Sequence, residues 1–436
     1  MQRTGIYLDA PLILRNPGYL ETLRDKLGLS LVIISYSGTL SPEVARLSPF
    51  DGAPPSDDCL RGLLATHIDG QPSTTKLDKA KGSLGPHVGA GGDDATLREA
   101  IGRAHAVGLE VWLLGGGWTA SDYDVLMFCP AHEGVNRWLE AVYVDMATGY
   151  GVEGVDVTHA RFPMASYPRG LFLGAGARGA RAAAELGYDL DAMVADIQAT
   201  VQHWRTMDPA PLIKLLELET LGLGLGDLWQ LLGVRPGLFD WFRYRTQLLG
   251  RNLARFRAAV HAAAGDGFVF LSDTYPASLS LYMGHDHTRW GEFSDCASPL
   301  ISHLDIFVTQ VLVEWARFFQ GLVPALSEAL ALRLAQHLTG YQGLSLPEDV
   351  AAYALGDPDG EFRNVPAREV LRLDMAKARA YLPPGLPSYP IIQGGGAPHP
   401  WPRDMIAQMI ADADALGHQG VIFQGTQSLV DYELRR

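Results

Sequence analysis

Cysteine is scarce in this 436-residue chain: Cys59, Cys129 and Cys296 are scattered and odd in number. That argues against a disulfide framework or a CxxC metal site and fits a reducing, cytoplasmic compartment. Basic charge is also short, with 35 Lys and Arg against 49 Asp and Glu and a formal net charge of -14. No cluster of Lys and Arg stands out, so a nucleic-acid backbone is not expected as a partner. The longest apolar runs, such as 31–34 and 111–114, are strand-sized, far below the roughly 20 residues needed to span a bilayer. No membrane partner is expected. Three motifs are missing as well. There is no H-E-x-x-H and no G-x-S-x-G, and neither "LGLGLGD" (221–227) nor "LLGGGW" has the G-x-G-x-x-G spacing of a dinucleotide site. No cofactor is therefore expected.

What the chain does have is a 47% apolar content and a recurring alternation of short strand-like runs with helical ones. Strands are expected at 5–8, in "LSLVIISYSG" from Leu29, in "LEVWLLGGG" from Leu109 and in "VEGVDV" from Val152. Others are expected in "GFVFLSD" from Gly267, "HLDIFVTQVL" from His303, "YPIIQGGG" from Tyr389 and "GVIFQGT" from Gly420. Helices are expected between them at 17–27, 94–107 and 136–148, where apolar residues recur on one face. The opening "GIYLDAPLIL" reads as a first strand rather than a leader. Eight strands separated by helices predict an α/β fold, a (β/α)₈ TIM barrel over 1–436 forming a single domain, with a doubly wound open sheet as the alternative. Residues 164–266 would form an enlarged helical connection between the fourth and fifth strands. The Pro- and Gly-rich 40–92 would be a long loop over the active face, and the helix after the eighth strand would be short.

In such a barrel the strands deliver their C-terminal ends to one cavity. Reading each strand to its end collects Asp9, Ser35 and Tyr36, Trp118, Asp156 with His159 and Arg161, Asp273 with Tyr275, Asp305 with Gln310, Gln393, and Gln424. Acids, amides and aromatics dominate, and Arg161 is the single cation. That mixture suits a neutral polyhydroxylated ligand, since carboxylates and amides bind hydroxyls and aromatic faces stack on sugar rings. A phosphate site would want more cations or free helix N-termini. Asp156 and Asp273, on neighbouring strands, are the expected catalytic pair: Asp156 as nucleophile or base, Asp273 as general acid. Arg161 would keep its partner ionised and His159 would bind a hydroxyl. The competing reading makes Asp156 a structural acid paired with Arg161.

Other candidates carry less. Asp305 could contact substrate, or lie mid-strand as a structural acid, and Asp9 could bind substrate or anchor the barrel rim. Glu217 and Glu219 fall in helical sequence and read as solvated. "MGHDHTRW" (283–290) contains His-x-His, which can chelate zinc but needs a third ligand. A loop lining the cleft with Tyr282, His285, Asp286 and Trp290 is the preferred reading. Cys129 with His132 nearby raises a thiol nucleophile, but "PAHEG" more simply starts the next helix.

The block "CPAHEGVNRWLEAVYVDMATGYGVEGVDVTHARFP" resembles the fourth-strand signature of glycoside-hydrolase-like barrel proteins distantly related to the alpha-amylase and alpha-galactosidase superfamily. "SDTYPASLSLYMGHDHTRWGEFSD" resembles their fifth-strand block. Together the two cover about a sixth of the chain. The resemblance implies a strand-four aspartate nucleophile and a strand-five general acid, which fall on Asp156 and Asp273. This chain departs from the amylase pattern in having Asp rather than Glu on strand five and His159 with Arg161 after the strand-four acid. The expected function is hydrolysis of a glycosidic bond in a carbohydrate substrate. A non-hydrolytic sugar-binding or sugar-isomerising barrel and a metal-dependent hydrolase are the alternatives. The assembly state is open, a homo-oligomer included.

Overall fold

The computed structural model describes residues 3–48, 93–120, 125–126, 129–162, 170–218, 223–303, 308–355, 364–395, 401–425 and 429–430. Eight parallel strands form the barrel wall. They are β1 (Arg3–Leu8), β2 (Leu31–Ser35), β3 (Glu110–Gly116), β4 (Gly154–Thr158), β5 (Val269–Thr274), β6 (Ala297–Pro299), β7 (Ile391–Gln393) and β8 (Gly420–Gln424). Pairing runs from β1 through β6 on one side, while β8 and then β7 follow β1 on the other. Closure between β6 and β7 rests on two bridges, Ala297 with Ser388 and Leu300 with Ile391. The fold is the expected (β/α)₈ barrel.

Alternation along the strands explains the two apolar layers. Leu31, Ile33, Trp112, Leu271, Ile391 and Ile422 form one cluster, joined by Tyr7 and Leu114, inside the barrel. Their neighbours Val32, Ile34, Val111, Leu113, Val155 and Phe270 face outward into the larger core shared with the helices. Gly154 is required at the floor, because a Cβ there would come within 2.6 Å of the Trp112 ring. At the N-terminal end Arg3 closes the barrel. Its Nη2 donates to Glu110 Oε2 at 2.7 Å, its guanidinium lies over Trp112 and Tyr389, and Trp112 Nε1 donates to Glu110 Oε1 at 2.7 Å.

Helices α1 (Ala10–Arg15), α2 (Tyr19–Leu27), α3 (Asp94–Ala106) and α4 (Glu133–Gly149) cover the first half. Asp93 caps α3 by accepting from Thr96 N at 3.1 Å, and the His132 ring caps α4 by accepting from Gly134 N at 3.0 Å. Between β4 and β5 run α5 (Ala177–Glu185), α6 (Leu190–Thr206), α7 (Ala210–Leu216) and the 29-residue α8 (Pro236–Ala264), which packs on both α4 and α6. Between β6 and β7 run α9 (Gln310–Leu322), α10 (Glu328–Thr339) and α11 (Ala367–Tyr381), with α12 (Arg403–Ala415) before β8. Among the described residues no helix is long and apolar enough to cross a membrane.

Two expectations are corrected. The sixth strand is Ala297–Pro299, not the run from His303; Gln310 opens α9, where Val311, Trp315, Phe319 and Leu322 recur at helical spacing and are buried. Cys129 is disulfide-bonded, while Cys296 is a free buried thiol. Residues 49–92, the bulk of the expected long loop, lie outside the described residues, as do Glu219, Asp305 and the end of the chain beyond Val430.

Candidate active site

Tyr7, Asp156 and Asp273 share the inward phase of their strands. In register, Tyr7 is level with Gln424 and Ile33, Asp156 with Leu114 and Leu271, and Asp273 with Ser298. Asp156 is fully buried and Asp273 is 4% exposed. The Tyr7 hydroxyl lies 2.8 Å from Asp156 Oδ2 and 3.3 Å from Asp273 Oδ1. Its single proton serves one carboxyl at a time. Ser298 Oγ donates to Asp273 Oδ1 at 3.0 Å.

Like charges this close do not both ionise easily. Burial raises the Asp156 carboxyl well above its usual range, and the neighbouring Asp273 raises it further. Asp156 Oδ1 is buried without a hydrogen-bond partner among the described residues, which also favours the protonated form. Asp273 is raised by burial, but hydrogen bonds from Thr158, Ser298 and Tyr7 favour its carboxylate and leave it at about 6. Tyr7 is pushed up by burial and by both acids, so it remains a hydroxyl donor. At neutral pH the pair therefore holds one proton. Tyr7 lies two residues before the strand-end Asp9, in the same alternation as Gly5, and that phase is the sequence signal for its inward position.

The remaining candidates divide. Gln393 and Gln424 join the ring: they pair in register on β7 and β8, Gln424 Oε1 accepts from Ser302 Oγ at 2.7 Å, and buried Gln393 Oε1 has no partner among the described residues. His159 is at the mouth with φ of 57°, and its Nδ1 is 2.9 Å from Thr158 Oγ1. Left-handed backbone in a non-glycine residue is uncommon and concentrates at functional turns. Gly117 permits this turn, since a Cβ there would come within 2.6 Å of Ala160.

Others do not converge on the pair. Arg161 is 4% exposed and lies over the Tyr275 ring at 5.0 Å, and it is not among the groups that shift Asp156. The expected support for an ionised Asp156 is thus corrected, since that carboxyl is raised rather than lowered. Tyr36 is out of phase with Leu31, Ile33 and Ser35 and packs edge-on against Tyr150 in the outer core. Trp118 has no exposed surface; it stacks on Phe256 and its Nε1 donates to Asn136 Oδ1 at 3.0 Å. Neither ring offers a face to a sugar. Asp9 is an exposed residue at the start of α1.

The "GHDH" loop is a brace. His285 Nδ1 accepts from Tyr275 N at 3.1 Å while Nε2 donates to Ala160 O at 3.0 Å, tying the loop after β5 to that after β4. Burial lowers His285 to about 3, so it stays neutral. Asp286 caps the following turn by accepting from Thr288 N at 3.0 Å, and Trp290 is buried against Phe293. His287 is held neutral by burial, at about 4. Among the described residues no three His, Cys, Asp or Glu side chains gather to hold a metal ion. Cys129 is not available as a thiol, and Glu217 lies just past α7 on the exposed side.

No family model matches the chain, and no curated protein matches it in sequence. Solved structures of similar chain course include the PgaB (BpsB) glycoside hydrolase domain from Bordetella bronchiseptica, at 11% identity and TM-score 0.45, covering 97% of this chain and 93% of that one. The catalytic domain of beta-amylase from Paenibacillus polymyxa has 9% identity and TM-score 0.47, covering 98% and 93%. The chitinase RmChi1 from Rhizomucor miehei has 9% identity and TM-score 0.41, covering 99% and 96%. Likenesses this distant say nothing of the substrate of this chain.

Proposed function

We propose that the chain hydrolyses a glycosidic bond, with Asp156 and Asp273 acting as one proton-holding unit. The observation that carries this reading is the buried carboxyl pair bridged by Tyr7, within a ring of hydroxyls and amides at the end of the barrel where barrel enzymes place their active sites. The shared proton passes through Asp273, the more accessible of the two, to the glycosidic oxygen as its bond to the anomeric carbon breaks. The second negative charge left on the pair is offset by the positive charge developing on the sugar ring. Water then attacks the anomeric carbon and returns a proton to the pair, so the balance is one water consumed and two hydroxyls formed. Gln393, Gln424 and His159 supply hydrogen bonds to substrate hydroxyls, and Ser298 and Thr158 hold Asp273. A carbohydrate substrate follows from this ring.

One observation favours a second reading. Both carboxyls reach the same Tyr7 hydroxyl, an arrangement around one shared donor rather than two groups set to flank a scissile bond. A barrel that binds sugar without cleaving it would also use such a ring. The deciding experiment is hydrolysis of aryl glycosides and oligosaccharides by wild type, Asp156→Asn and Asp273→Asn, with folding checked by thermal melt and sugar binding by calorimetry. Turnover by wild type, lost in both folded variants, supports the hydrolase. Binding with no turnover in any of the three supports the second reading, and turnover that survives in both variants removes the pair from the mechanism.

A further inference from the structure

A cavity of about 790 Å³ lies on the flank of the barrel, between the β4–β5 helices α6 and α8 on one side and α9, α10 and α11 on the other. None of the ring residues Tyr7, Asp156, Asp273, Ser298, Gln393 or Gln424 lines it. Its walls are hydrocarbon and aromatic, dominated by Trp204, Leu238, Phe242, Trp315, Phe318 and Phe319. Phe239, Leu281 and Tyr381 also line it and are 44%, 54% and 43% exposed. Apolar side chains left in water beside an apolar hollow mark a binding groove.

The ionisable groups in the wall leave no free cation for an anionic ligand to match. Lys377 Nζ donates to Ser278 Oγ at 2.8 Å and to Gly340 O at 3.1 Å. Behind it Asp374 accepts from Ser278 N at 2.9 Å and from Tyr341 Oη at 2.7 Å, and the opposite charges of Lys377 and Asp374 compensate one another. Burial lowers both His287 and His337 and so favours their neutral forms, and Asp286 is engaged with Thr288. An anionic ligand would shed its hydration here with no cation to replace it, and an aliphatic chain would find walls that match it. The volume falls within the range of small-molecule sites, about 300–1,000 Å³. The enclosure by five helices and the loop after β5 suits a small body rather than the face of another protein.

We propose that this flank cavity is a binding site for a neutral, predominantly hydrocarbon small molecule, such as a long-chain alcohol, separate from the carboxyl pair. The site does not depend on the reaction assigned to the barrel. The test titrates the neutral fluorophore N-phenyl-1-naphthylamine into the full chain and displaces it with 1-dodecanol or with dodecanoate. Leu281→Glu and Phe239→Glu, both at exposed positions, serve as variants, with thermal melts to establish folding. The expected result is saturable one-to-one binding, displacement by dodecanol at least tenfold more effective than by dodecanoate, and at least tenfold weaker probe binding in either folded variant. Absence of saturable binding, equal binding in both folded variants, or displacement by dodecanoate as good as by the alcohol would overturn it. Probe binding that appears only on dilution would also do so, because the cavity would then be covered by a second copy of the chain.

Discussion

At the N-terminal end of the barrel Arg3 and Glu110 meet at 2.7 Å, whereas toward the C-terminal end Asp156 and Asp273 converge on one hydroxyl. Both are polar groups set among apolar barrel side chains, and they are resolved in opposite ways. Arg3 has an opposite charge and two aromatic faces, and Glu110 receives a second donor from Trp112. Asp156 has a like charge beside it and one oxygen without a partner among the described residues. The first arrangement stabilises the folded chain. The second costs stability, and in the proposed mechanism it keeps a proton ready for transfer.

The most direct way to break this contrast is to neutralise the acidic end. Asp273→Asn and Asp156→Asn should each lower hydrolysis by roughly 10²–10⁴-fold, the usual worth of an acid–base group, as read from kcat/KM on any cleaved glycoside. The same substitutions should stabilise the fold at neutral pH. The Asp273 carboxyl is raised from its ordinary 3.8 to about 6, so the native state holds its proton more tightly than the unfolded chain does. Its stabilising contribution is complete below about pH 3.8 and is lost as pH rises through about 6. Asp273→Asn, which cannot titrate, should therefore melt higher than wild type at pH 7.5, with the gain vanishing near pH 4. A variant that melts lower at pH 7.5 than at pH 4 relative to wild type would contradict a proton-sharing pair.

A milder break removes only the bridge. Tyr7→Phe should lower turnover roughly ten- to hundredfold, the worth of one hydrogen bond to a charged group, and should move the pH–rate profile because both carboxyls lose a donor. An unshifted profile would make Tyr7 mere packing. At the opposite end, Glu110→Gln should cost about 1–2 kcal/mol of stability in chemical denaturation and leave kcat unchanged, since Arg3 loses its counter-charge far from the pair. The smallest effect is expected from Asp286→Ala, which removes a turn cap and should cost under about 1 kcal/mol with no change in chemistry.

How much of this was legible in the sequence depends on strand phase. β1 to β5, β7 and β8 announce themselves as apolar runs, and Asp156 and Asp273, the pair proposed for catalysis, are polar residues within such runs. β6 does not: "ASP" is three residues with one small apolar side chain, while Val311 and Leu312, from the apolar stretch that follows, belong to α9, whose period shows only when it is read through Leu322. Tyr36 and Trp118 stand close to a strand end but off the inward alternation, and both pack in the outer core instead of the barrel interior. Phase alone would have set Tyr36 aside and drawn in Tyr7. The brace made by His285 joins residues 125 positions apart and leaves no local trace.

The seam between β6 and β7 gives this architecture an uneven clock. Ser298, which holds Asp273, rides on a three-residue stave fastened on its far side by two isolated bridges. Tyr7 rides on a six-residue strand paired along both edges. Amide protons exchange with solvent soonest where the ladder is shortest. Deuterium should therefore enter the backbone of β6 before that of β1, so that of the pair's hydroxyl partners Ser298 is released ahead of Tyr7.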